Sequence, residues 1–355
     1  MLMDKTGFVA LDKQLDMLAE RLNAALQAEN AYILLCNEAS AAKAEEALFA
    51  RYEKSKTHAA VLCCEKAEHA ADRVKEKMIL SAVEKGRDSA YLNWLLAENH
   101  FISALVCSAD RMLLEENASV RTLCAWEKAG VSFVQDMAAH VTAHLRMREG
   151  ARALLPAAAY LYGLDTVREC LADETVRAYL AHALADEVGK VLALSREDML
   201  RHAADVFMDM DKHADEKLTD MAENLISRYA AYVLPSLAAH VQQKNAVPPC
   251  LCYALSALIM YYAGARSDGH GGYQGVREET YYPVYDDAEN MHAFTRMSCD
   301  MDCDSLAYAV LSDWEMWGND LRGVPGLMDG VTGQLRDIQL LGSRAAMKLA
   351  VEEHK

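Results

Sequence analysis

The chain has 355 residues, enough for two domains with real cores, and 52% of them are hydrophobic. Its formal charge of -17 is repelled by phosphate backbones and anionic bilayers, which excludes nucleic-acid and membrane-surface roles. The ten cysteines are scattered, several inside apolar runs such as AYILLC and ALVC, a usage that predicts buried thiols in a reducing, cytoplasmic setting. No apolar run approaches the roughly 18 residues needed to cross a bilayer, and no basic-then-apolar leader opens the chain.

Residues 12–27 place Leu15, Leu18, Leu22 and Leu26 three to four apart, the spacing of an amphipathic helix. AYILLC (residues 31–36) and HAAVLCC (residues 58–64) are short and apolar, as strands buried on both faces are. Helical patterns over residues 42–54 and 70–84 alternate with them, which predicts a parallel α/β sheet, though one with few legible strands. After about Leu145 helical patterns follow one another over residues 165–182, 195–208, 216–232, 249–263, 305–317 and 326–351. Ser195 with Asp198 resembles a capping box, and Pro235, Pro248, Pro249, Pro283 and Pro325 fall between the helical patterns. The Gly-rich stretch 267–283 predicts an irregular surface loop. The architecture expected is a reduced α/β part followed by an all-helical part.

Several segments resemble the tagaturonate reductase (altronate oxidoreductase) branch of the long-chain mannitol dehydrogenase family. GLDTV (163–167), LCYALSALIMYYAG (251–264), YPVYDD (282–287) and WEMWGNDLRGVPGL (314–327) match in order and spacing. CEKAEHAAD (64–72), YLNWLLAENHFISALVCSADRM (91–112) and VSFVQD (131–136) match more faintly. The resemblance implies an α/β N-terminal part with an incomplete Rossmann-like sheet over residues 1–140, lacking the Gly-rich first turn. A mannitol-dehydrogenase-type all-α C-terminal domain over 141–355 would follow, making the chain mostly helical. It further implies NAD as cofactor and a keto-sugar acid as substrate, reduced with a lysine as general acid/base and an asparagine and a histidine polarising the carbonyl.

The sequence departs from that pattern in two places. The family's Gly-x-Gly-Asn-Phe turn lies before the point at which this chain begins to match, and Gly7 is the sole glycine among the first 80 residues. Cofactor-binding residues are therefore unassigned. Counted back without gaps from Gly163, the family's Lys-x4-Asn-x2-His falls on His144, Glu149 and Arg152. Histidine can do proton work, but an ionised Glu149 donates no hydrogen bond and Arg152 exchanges no proton. Asn224 and Arg228 fall where the family has an asparagine and a lysine, and Asp110 and Arg111 keep its Asp-Arg pair; these four are the expected substrate contacts.

Asp136, His140 and His144 share a helix face and Cys299 and Cys303 flank two aspartates, but neither set completes a metal site, so no metal is assigned. The expectation is a divergent family member whose dehydrogenase activity is lost or impaired. Its rivals are an active NAD-dependent reductase using His144 and Arg152, and a non-catalytic protein that binds a sugar acid or pairs with a paralogue or a second copy of itself.

Overall fold

The computed structural model describes residues 7–28, 31–270, 272–297 and 301–353. The chain divides into two compact units, Met1–Thr142 and Ala143–Lys355, and the division falls inside the helix Met137–His144.

The first unit is built on six strands: β1 (Gly7–Ala10), β2 (Tyr32–Cys36), β3 (Ala60–Cys64), β4 (His100–Val106), β5 (Met112–Glu115) and β6 (Val131–Val134). They lie in the order 1-2-3-4-5-6, parallel throughout except where β5 runs against β4. The period of two along each strand splits the core into two layers. Ile33, Leu35 and Leu62 enter one with Phe8 and Trp126, while Leu34, Cys36, Val61 and Cys63 enter the other with Leu48, Val74 and Trp94. Strands buried on both faces explain why AYILLC and HAAVLCC read as unbroken apolar runs.

The structure adds strands that propensity alone had not marked. β1 is four residues long, and β4 follows the apolar helix Ser89–Ala97 so closely that the two run together in sequence. β1 is an edge strand, and the Asn23 side chain closes part of its open side. Its oxygen accepts from the Phe8 N–H and its amide donates to the Phe8 carbonyl, both at 2.8 Å. Gly7, at φ +113°, makes room for this, since a Cβ there would lie 2.3 Å from Asn23 Oδ1.

The second unit is helical. Its centre is Pro249–Ala263, buried nearly all round, with Gly150–Tyr162, Leu327–Leu341 and Ser343–Glu352 packed against it. Several helices expected to be continuous are broken for local reasons. Asp173 ends one helix and caps the next, Asn224 adopts the left-handed conformation at φ 51°, and Gly342 at φ 83° separates the last two. Ser195 does cap Arg196–Lys212, accepting from the Asp198 N–H at 3.1 Å.

One expectation is corrected outright. The stretch 267–283 is not an irregular loop but most of an antiparallel sheet, β7 (Arg266–Ser267), β8 (Tyr273–Arg277) and β9 (Thr280–Val284). Gly275 stands opposite Tyr282, and a Cβ on it would meet the Tyr282 ring at 2.3 Å. The glycine that suggests a loop is there to seat a ring. Pro283 correspondingly lies in β9, an edge strand, where the missing N–H is tolerated.

Candidate functional site

The helix entering the second unit is not regular. Between Met137–His144 and Gly150–Tyr162 lies a π-helical turn, Leu145–Glu149, in which the Gly150 N–H points back to the Leu145 carbonyl. In an α-helix residues five apart stand about 140° apart around the axis. Bonding from i to i+5 instead stacks them, so the turn swings Glu149 toward the side of His144, with Arg152 one turn further on. Pro156 follows inside the next helix and removes the N–H that would bond the Arg152 carbonyl. A second π-turn, Tyr229–Val233, packs against the first and starts directly after Arg228. Three of the sequence-predicted residues, Glu149, Arg152 and Arg228, thereby meet in one electrostatic cluster.

The cluster is closed by acids that no local sequence pattern singles out. Glu216 grips Arg152 with both oxygens, at 2.9 and 2.5 Å. Arg148 donates to Asp209 at 3.0 Å and to Glu149 at 3.0 Å. These side chains are only 20–25% exposed, so water screens them weakly. Glu216, with Glu149 and Asp209 behind it, drives the Arg152 pKa above its ordinary value. Arg228 behaves oppositely. Burial, and then the charge of Arg152, pulls its pKa down against Glu149 and Glu216, and its Nη1 donates to the Met221 carbonyl at 2.8 Å. Three guanidiniums, Arg148, Arg152 and Arg228, balance three carboxylates, Glu149, Asp209 and Glu216. A site of this kind moves no proton at Arg152.

The remaining predicted residues are placed differently. His144 is buried in the second unit, 3% exposed, with the His202 ring beside it. Asn224 is exposed and works through its backbone, its N–H donating to the Tyr285 carbonyl at 3.0 Å. Asp110 and Arg111 belong to the first unit, in the turn between β4 and β5, where the Ser108 hydroxyl accepts the Arg111 N–H at 3.1 Å. The Arg21 side chain donates to the neighbouring Ala109 carbonyl. Asp136 lies before the helix Met137–His144 and accepts the Ala139 N–H at 3.0 Å, while Cys299 is outside the described residues.

Among its described residues the first unit lacks the glycine cradle that a dinucleotide uses. Such a ligand sits outside the carboxyl ends of parallel strands where strand order reverses, on a glycine turn at a helix N-terminus. Among the described residues the order never reverses, and the turns after β1, β2 and β3 contain no glycine. Each carries an acid instead. Asp12 fills the helix end after β1, held ionised below the usual carboxylate range first by the Gln14 N–H and then by the Asn37 amide. Glu38 is held by Lys77 at 2.7 Å and by Arg73, and Glu65 accepts the Glu38 N–H at 3.3 Å. A pyrophosphate would meet these carboxylates where it needs bare N–H groups.

Comparison with known proteins places this arrangement. Residues 136–339 match the profile of the mannitol dehydrogenase C-terminal domain. Altronate oxidoreductase of Yersinia pestis bv. Antiqua (strain Nepal516) is 27% identical over 350 residues, covering 86% of this chain and 70% of that protein. The Klebsiella pneumoniae (strain 342) altronate oxidoreductase is 28% identical over 351 residues, with 86% and 70% covered. Among solved structures, a D-sorbitol dehydrogenase in substrate-free form superposes with TM-score 0.62 at 16% identity, over 95% of this chain and 77% of that one. Pseudomonas fluorescens mannitol 2-dehydrogenase, in a ternary complex with NAD and D-mannitol, gives 0.54 at 15% identity, over 91% and 75%.

Proposed function

Because the chain belongs to the mannitol dehydrogenase family, we propose that it is a divergent relative of the altronate oxidoreductases whose dehydrogenase activity has been lost. The observation that carries this reading is the two-pronged grip of Glu216 on Arg152. Reduction of a keto-sugar acid needs, beside its proton donor, two groups free to donate hydrogen bonds to the carbonyl oxygen as it becomes an alkoxide. At the family's histidine position stands a guanidinium whose pKa is raised further by Glu216, and at its asparagine position a carboxylate engaged by Arg148. Neither can serve. The acids after β1, β2 and β3 oppose NAD binding independently.

What the cluster retains is affinity for an acid. Arg148 and Arg152 donate to carboxylates, whereas Arg228 donates to a backbone carbonyl and keeps charge to offer a sugar-acid carboxylate. The test is an NADH titration of the purified chain by fluorescence, with and without tagaturonate, followed by a steady-state reduction assay. The expected result is no saturable cofactor binding and no turnover. Tagaturonate or altronate should bind weakly, with affinity falling in Arg228→Ala. NADH oxidation that collapses in His144→Ala would overturn the reading in favour of an active reductase.

A further inference from the structure

His144 closes the helix Met137–His144, and His202 lies in the helix Arg196–Lys212, both inside the second unit. The two imidazoles are 3% and 1% exposed, with ring centroids 6.4 Å apart and planes at 64°. Ring nitrogens of the two lie within 4.8 Å of one another. Imidazole nitrogens are among the usual ligands of Zn²⁺.

We propose that His144 and His202 form a site for a borderline divalent transition metal, Zn²⁺, held within the helical unit. Two imidazole nitrogens on a tetrahedral zinc, each about 2.0–2.1 Å from the ion, stand roughly 3.4 Å apart. The ring nitrogens, within 4.8 Å of one another, are no more than about 1.4 Å from that separation. Asp205, 4% exposed, follows His202 by one turn on the same helix, where a carboxylate is suited to orient a metal-bound imidazole. Gly189 lies against the segments that follow His144 and precede His202. A Cβ on it would lie 3.3 Å from Met199 Sδ and 3.4 Å from Met147 Cε, and these methionines stand three residues from His202 and His144 respectively. The histidines supply half of a tetrahedral set, and the other positions take water or further donors.

The experiment uses the full chain, freed of its purification tag and stripped with a chelator. Zn²⁺ is titrated in competition with a chromophoric chelator, and Co²⁺ is added separately for its visible spectrum. The site predicts one ion per chain, a rise in melting temperature on adding Zn²⁺, and tetrahedral d–d absorption with Co²⁺. Affinity should fall at least about tenfold in both His144→Ala and His202→Ala and stay unchanged in His270→Ala, whose histidine is exposed. Equal affinity in all three variants would overturn the proposal. So would octahedral Co²⁺ in the unmodified protein, a readout that does not depend on any variant folding.

Discussion

At position 216 a single carboxylate decides what Arg152 can do. Glu216→Gln keeps the shape and removes the charge, leaving a guanidinium only a quarter exposed beside Glu149 and Asp209. The expected loss is about 1–2 kcal/mol, between an exposed pair and a fully buried one, and is read as a lower urea midpoint at unchanged slope. Restoring the family's residues together, as His144→Lys, Glu149→Asn and Arg152→His, should leave tagaturonate reduction at background. The turns after β1, β2 and β3 still present Asp12, Glu38 and Glu65. Turnover in that triple variant would show that the acids do not bar the cofactor. Counting back from Gly163 picks out positions 144, 149 and 152, of which Glu149 and Arg152 meet in the cluster. Asp209 and Glu216 were not legible, because their roles arise from meeting side chains about 60 residues away, which no local spacing encodes.

Elements were legible where burial imposes a period and illegible where a few residues do unusual work. The buried runs at β2 and β3 and the helix Pro249–Ala263 announce themselves by unbroken apolarity. β1 does not, because four residues carry no period, and its edge is finished by a side chain from the next helix. Asn23→Ala removes both hydrogen bonds to Phe8 and opens the edge. A loss of about 1–2 kcal/mol and concentration-dependent light scattering on mild heating are expected. The β8–β9 pair was misread because glycine signals loops more often than it seats an aromatic ring. Gly275→Val should therefore speed amide exchange in Tyr273–Arg277 by at least about tenfold and leave Pro249–Ala263 protected.

Taken as a whole, the molecule hides its thiols, as the cysteine usage predicts: no described cysteine is in a disulfide, and all of the described ones but Cys64 are buried. That burial sets a direction for stability against pH. Desolvation lifts Cys124 to about 11 and Cys170 to about 12 from an ordinary 9.0, and drives the Cys250 and Cys252 thiols up further still. Above pH 9 the unfolded chain releases these protons while the folded one keeps them, so the folded state binds more protons and stability falls as pH rises. Melting temperature should decline steadily between pH 9 and 11, where Cys124 and Cys170 titrate only in the unfolded chain. Cys170→Ala should lessen the slope of that decline. A flat profile over this range would mean that the thiols are not sequestered.

The π-turn at Leu145–Glu149 has one more consequence. Such a turn is an α-helix carrying one surplus residue. Deleting one residue there would restore regular hydrogen bonding and at the same time rotate His144 by about 100° relative to Glu149 and Arg152. Backbone repair and side-chain alignment therefore pull in opposite directions along this helix.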